Sequence, residues 1–236
     1  MTDFSAIRAI SFDLDDTLWE CQPVIQRAEA TLYAWLQHHA GRITARYSSE
    51  QMREVRIKLA QQQPHLQHDL SELRRVSLRQ HADEAGYSQE QLVREAFEVF
   101  IAARNEVTLF EDVLPVLVAL GQSYPLVALT NGNANLKRIG IDHLFQVSIC
   151  AEEVTLGKPD AEMFVLACER LQMAPSEVLH VGDDPLRDVW AAQQAGLQAV
   201  WMNRFLATWP TVESQPLTIK TLFELEKQLS TVALLG

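Results

Sequence analysis

The sequence predicts an α/β protein: a Rossmann-like parallel sheet with helices on both faces, interrupted by an inserted helical domain. Three observations carry this. Residues 7–14, Ile-Arg-Ala-Ile-Ser-Phe-Asp-Leu, are a short apolar run that ends abruptly in acids. Residues after 110 alternate between strand and helix patterns, the rhythm of a parallel sheet. Between them, residues 20–107 read as helices alone. The predicted core domain is therefore residues 1–19 with 108–236, and the predicted insert is 20–107.

Taken in order, residues 7–13 form a buried strand whose carboxyl end carries Asp13 and Asp15. In the insert, Pro23 fits a first helical turn, and Ile25, Ala28, Leu32 and Trp35 follow at helical spacing up to a stop at Gly41. Ser48 and Gln51 make a capping-box pattern for a second helix. A third runs through Leu66, Leu70, Leu73 and Ser77 to Gly86. A fourth starts at Ser88, with Gln91 three residues on, and sets Leu92, Ala96, Phe97, Phe100 and Ala103 on one face. Later strands are expected at 126–130, 147–151, 178–181 and 199–202. Helices are expected near 112–121, 160–172, 185–195 and 220–229.

The chain has 236 residues, 47% of them apolar, which suits one large domain or a domain with an insertion. Its 31 acidic and 20 basic residues give a net charge of −11. The insert is near neutral, with 11 basic against 12 acidic residues, so the excess sits in the sheet domain. Such a chain repels a phosphate backbone, and the densest basic group, Arg74-Arg75 with Arg79, is diluted by Glu72 and Asp83. No nucleic-acid polymer is expected as partner. Arg74 and Arg75 read as a solvated helix face. Three scattered cysteines, Cys21, Cys150 and Cys168, suit a reducing compartment. Neither a signal-peptide pattern nor a run of 18 apolar residues is seen, so no membrane partner and a cytoplasmic location are expected. Nothing in the pattern signals an oligomeric state.

Ligands of an open parallel sheet bind beyond the carboxyl ends of its strands. The suggestive residues fall there repeatedly: Asp13-Leu14-Asp15-Asp16-Thr17, then Thr130-Asn131-Gly132, then Lys158-Pro159, then Gly182-Asp183-Asp184 with Asp188. Each has a plainer reading. Acids often end strands, Asn-Gly favours turns, and Asp160 and Asp184 suit helix N-caps. Asp184 before Pro185 is assigned to structure on that ground. His180 lies inside a strand and reads as a core histidine, whereas most of the insert's histidines read as surface residues. Trp19 suits packing at least as well as substrate contact.

Together, Asp13-x-Asp15-x-Thr17, Thr130-Asn131, Lys158 and Gly182-Asp183-x₄-Asp188 resemble, in order, the four motifs of the haloacid dehalogenase-like hydrolases. The insert resembles that superfamily's C1-type cap, and the whole chain is similar to bacterial phosphatases of small metabolites, such as phosphorylated riboflavin precursors or nucleotides. The resemblance implies Asp13 as nucleophile, forming an aspartyl phosphate, and Asp15 as general acid and base. It implies Mg²⁺ held by Asp13, the backbone carbonyl of Asp15, and Asp183, with Asp188 behind them. Lys158 would balance the charge of Asp13 and the phosphate, and Thr130 and the Asn131 N–H would hold phosphate oxygens. The chemistry is consistent: phosphoryl transfer needs a held in-line nucleophile and neutralised equatorial charge, and Mg²⁺ prefers hard oxygen ligands.

Asp15 discriminates among reactions. Carbon–halogen-cleaving and phosphonate-cleaving relatives lack an acid there, and the latter place a lysine in the cap, where this chain has only Lys58. A phosphate monoester of a small metabolite is the expected substrate. A sugar phosphomutase, and a non-catalytic protein on the same scaffold, are the alternatives.

Overall fold

The computed structural model describes residues 4–87, 90–210 and 215–233. The chain divides into two compact units: residues 1–20, 108–132 and 140–236 form the first, and 21–107 with 133–139 form the second. The short return of 133–139 to the helical unit has no counterpart in the predicted boundaries.

The first unit is built on a six-stranded parallel sheet. Its strands are β1 (Ala9–Phe12), β2 (Leu126–Thr130), β3 (Val147–Cys150), β4 (Val178–Gly182), β5 (Gln198–Met202) and β6 (Thr218–Ile219), in the order β3-β2-β1-β4-β5-β6. β1 is central: Phe12 sits beside Ala128 of β2 and Val181 of β4. Strands covered on both faces need continuous apolar sequence, and β1, β2 and β4 are buried along their whole length. The two-residue β6 was not expected, because Thr218-Ile219 is too short to carry a period of its own.

The connecting segments of this unit supply its helices. In chain order they are Val113–Gly121, Glu162–Leu171, a π-helical turn Pro185–Trp190 leading into Ala191–Gln194, and Leu222–Ala233. Met163, Phe164 and Ala167 pack on Leu129, Ile149, Val189 and Trp201 in one apolar cluster. Asp112 is wholly buried and receives the Leu222 N–H at 2.5 Å and Arg204 Nη1 at 3.1 Å, which fixes the start of the last helix.

The second unit is helical: α1 (Cys21–His39), α2 (Gly41–Thr44), α3 (Ser49–Gln62), α4 (Leu70–Glu84) and α5 (Glu90–Arg104), with the short return helix α6 (Leu136–Ile139). Leu32, Leu36, Leu78, Phe97 and Phe100 centre its core. The capping box at Ser48 is present, with Gln51 N–H donating to Ser48 Oγ and Ser48 N–H to Gln51 Oε1. Ser88 lies outside the described residues. Two expectations are corrected. α1 ends at His39 and Gly41 opens a further turn. The third helix is broken after a single turn at Pro64–Leu66 and restarts at Leu70, because Asp69 caps the Glu72 N–H at 2.7 Å.

A third correction concerns Arg74. It is not a solvated residue: only 6% of it is exposed. It makes a two-pronged contact with Glu29 at 2.9 and 3.2 Å and lies over the Phe100 ring. Arg56 binds the same carboxylate. Helical periodicity cannot reveal this, since a buried arginine is tolerated only where a partner from another helix answers its charge. Arg75 is part-exposed and lies over Phe97. His81 is buried as well, against Tyr47. Among the described residues no helix is long and apolar enough to cross a membrane.

Candidate active site

The central position of β1 determines the site. Its chain leaves the sheet at Asp13, whose N–H still donates to Val181 O at 2.9 Å, so the carboxylate stands between the ends of β2 and β4. The backbone then turns sharply. Asp16 adopts a left-handed conformation (φ 60°), which aspartate tolerates better than most residues, and its N–H donates to Trp19 O at 2.7 Å. This turn brings Trp19 back alongside Asp15, and the indole Nε1–H donates to Asp15 Oδ1 at 2.9 Å.

Lys158 reaches this point from beyond β3. Its ammonium donates to Asp13 Oδ1 at 2.7 Å, Asp188 Oδ1 at 2.6 Å and Leu129 O at 2.9 Å. An ammonium has three hydrogens, and all three are engaged. Lys158 therefore meets the anion expected here through charge and through its grip on Asp13, rather than through a hydrogen bond of its own. Asn131 sets the loop that carries it. Its side chain donates to Lys158 O at 2.6 Å and accepts the Lys158 N–H at 2.8 Å. Gly157 is needed beside it, because a Cβ there would meet Asn131 Oδ1 at 2.8 Å. Thr130 is buried, and its Oγ1 accepts the Gly132 N–H at 2.9 Å, which leaves its hydroxyl hydrogen for another acceptor.

The loop after β4 closes the site. A Cβ on Gly182 would stand 2.4 Å from Asp188 Cγ, so the Gly-Asp spacing is a packing requirement. The π-helical turn places Asp188 back over the strand, where its Oδ2 accepts the Asp184 N–H at 3.0 Å. Asp184 caps the turn through the N–H groups of Leu186 and Arg187, the structural role its position before Pro185 suggested.

The charges are arranged unevenly. Burial, opposed chiefly by Lys158, pushes the Asp13 carboxyl up to about 7. Burial and then Lys158 act oppositely on Asp188 too, but Lys158 and His180 prevail and hold it below the usual carboxylate range. Burial alone would lower Lys158; Asp13 and Asp188 hold it above its ordinary value. Asp183 has no such help. Burial, then Asp13, Asp188, Asp16 and Asp184, push it up to about 9. Oxygens of Asp13, Asp183 and Asp188 lie within 4.8 Å of one another. Three crowded carboxylates facing one lysine suit a small hard cation, which supplies the missing positive charge.

Three contributors were not anticipated in these roles. His180 is a core residue as expected, but a connected one: Nδ1 lies 2.8 Å from Ser11 Oγ and Nε2 3.3 Å from Asp188 Oδ1. Burial lowers its pKa. Trp201 Nε1 donates to Asp183 O at 2.7 Å. Trp19, wholly buried, holds Asp15. Only the aromatic residue close behind Asp15 could have signalled this in the sequence.

Comparison with known proteins agrees with the motif order. The haloacid dehalogenase-like hydrolase family matches residues 7–196. The 5-amino-6-(5-phospho-D-ribitylamino)uracil phosphatase YigB of Escherichia coli is 32% identical over 200 residues, covering 84% of each chain. The glyceraldehyde 3-phosphate phosphatase of Methanopyrus kandleri is 30% identical, again over 84% of each. A solved structure titled 2-haloacid dehalogenase, from Pseudomonas syringae pv. Tomato DC3000, superposes with a TM-score of 0.90 at 37% identity, covering 95% of this chain and 99% of that one. With a family match across residues 7–196 and relatives aligned over most of their length, this chain belongs to the haloacid dehalogenase-like hydrolases.

Proposed function

We propose that this hydrolase is a Mg²⁺-dependent phosphatase that cleaves phosphate monoesters of small metabolites through an aspartyl phosphate on Asp13. The observation that carries the reading is the pair of acids on one loop: Asp13 buried against Lys158, and Asp15 two residues on, part-exposed and held by Trp19. A dehalogenase needs the first acid but has no alkoxide for the second to protonate.

Asp13 attacks the phosphorus in line, and the P–O bond to the leaving group breaks as the P–O bond to Asp13 forms. Asp15 gives its proton to the departing oxygen. It then takes a proton from the water that opens the acyl phosphate, which regenerates Asp13. The Thr130 hydroxyl and the Asn131 N–H bind phosphoryl oxygens. Asp13, the backbone carbonyl of Asp15, and Asp183 would hold the metal, with Asp188 supporting them. When bound, Mg²⁺ supplies positive charge where the attacking carboxylate approaches an anionic phosphoryl group.

Purified protein with Mg²⁺ is expected to release phosphate from an aryl phosphate, and EDTA to stop it. Chloride released from 2-chloropropionate without any phosphate turnover on a broad panel of esters would overturn the reading. Isomerised sugar phosphate with little free phosphate would favour a mutase.

The 32% identity to a phosphatase of a phosphorylated flavin precursor supports a substrate of that kind, a ribityl or nucleotide-like monoester. We assign the choice of leaving group to the helical domain, residues 20–107, acting as a cap. Exchanging that segment for the corresponding one of a relative should change the ranking of substrates by kcat/KM while leaving aryl phosphate turnover measurable. An unchanged ranking would count against this assignment.

A further inference from the structure

We propose that Trp19 is a positioning residue that fixes which oxygen of Asp15 carries the transferable proton. This rests on the acid–base reading of Asp15 given above. The indole Nε1–H lies 2.9 Å from Asp15 Oδ1. An indole nitrogen donates and cannot accept. Oδ1 is thereby engaged as an acceptor, a role a carbonyl-type oxygen fills better than a hydroxyl, which places the transferable proton on Oδ2.

The donor is rigidly placed. Trp19 is wholly buried, pairs with Leu109 on one side and with Asp15 on the other, and closes the Asp16 turn through its carbonyl. A carboxylic acid free to rotate exposes its proton in several directions. Here one direction is selected before substrate arrives, which removes a reorientation from the transition state. In the first step, the P–O bond to the leaving group breaks and that oxygen takes the proton from Oδ2. In the second, water attacks phosphorus, the bond to Asp13 breaks, and the proton of the water returns to Oδ2. The indole N–H keeps its hydrogen throughout.

The test is the dependence on leaving group. Phosphoenzyme formation governs kcat/KM, and an alkyl phosphate needs its leaving oxygen protonated, whereas p-nitrophenolate departs unaided. Trp19→Phe keeps most of the ring volume and loses the donor. It is expected to lower kcat/KM for an alkyl phosphate by roughly tenfold to a hundredfold, the scale of one hydrogen bond to a charged group within general acid catalysis. The value for p-nitrophenyl phosphate should change by no more than about threefold on the same scale. In an Asp15→Asn background the Trp19→Phe effect should disappear. Equal losses on both substrates, or an undiminished effect in Asp15→Asn, would mean that Trp19 only supports the fold.

Asp15→Asn alone separates this outcome from failure of the underlying reading. If that variant shows no preference for good leaving groups, the acid role of Asp15 fails. If it does and Trp19→Phe does not, the positioning role alone fails. Should Trp19→Phe not fold, the Trp19 indole ¹H–¹⁵N resonance decides. It should lie downfield in the unmutated protein, where the N–H donates to Asp15 Oδ1, and shift upfield in Asp15→Ala; a resonance unmoved by that substitution would sink the proposal.

Discussion

Asp13→Asn is expected to lower kcat by on the order of 10⁴-fold or more, the loss typical of removing a covalent nucleophile from an assembled site. The fold should not suffer with it. Burial pushes the Asp13 carboxyl up to about 7, so in metal-free buffer near neutrality its charged form is poorly accommodated. Its contribution to stability is greatest below the ordinary carboxylate pKa and is lost as pH rises through about 7. The neutral amide escapes that loss, and Lys158 retains Asp188 and Leu129 O. Thermal melts in EDTA should therefore show the stability of Asp13→Asn relative to wild type growing from pH 5 to pH 8. A variant that melts far below wild type at both pH values would show that Asp13 is needed for folding, contrary to this expectation.

Lys158→Met is expected to damage both activity and stability. The ammonium serves Asp13 and Asp188, both buried, and removing it leaves two carboxylates facing Asp183 with no cation between them. Breaking a buried ion pair on one side costs about 3–5 kcal/mol. For a chain of this size that corresponds to a fall in Tm of about 10 °C. Lys158→Arg should recover little, because a planar guanidinium cannot direct three N–H groups to the same three oxygens. The deficit of Lys158→Met should shrink on acidification as the stranded carboxylates protonate, and also in Mg²⁺. Differential scanning calorimetry with and without Mg²⁺ checks both. A melting temperature within about 2 °C of wild type in EDTA would contradict the ion-pair account.

Much of this architecture could be read from the chain because local pattern and global fold agree. A run such as Val178–Gly182 is apolar but for His180 and is followed at once by Asp183, so strand and candidate site coincide within six residues. What escaped depends on contacts across sequence. Arg74 is indistinguishable from a surface arginine until Glu29, 45 positions away, and Phe100 close around it. His180 was placed in the core, but its neighbours Ser11 and Asp188 come from another strand and from the turn beyond β4. The saturation of Lys158 is invisible for the same reason, since its carboxylate partners belong to separate segments. The break before Leu70, by contrast, has a local signal: Asp69 with Glu72 three residues on is a helix start.

The strand order β3-β2-β1-β4-β5-β6 has a consequence for how the protein is made. Asp13 is near the beginning of the chain, yet Lys158 follows it by 145 positions and Asp188 comes later still. β1 cannot be flanked on both sides until Val178–Gly182 has formed, because β4 is its neighbour. During synthesis, therefore, the strand that leads to Asp13 waits while most of the polypeptide is added, with one edge unpaired. Closing so long a loop slows assembly more than it weakens the finished sheet. A nascent chain that stops short of β4 lacks Asp183, Asp188 and the second neighbour of β1, so the carboxylate cluster assembles late.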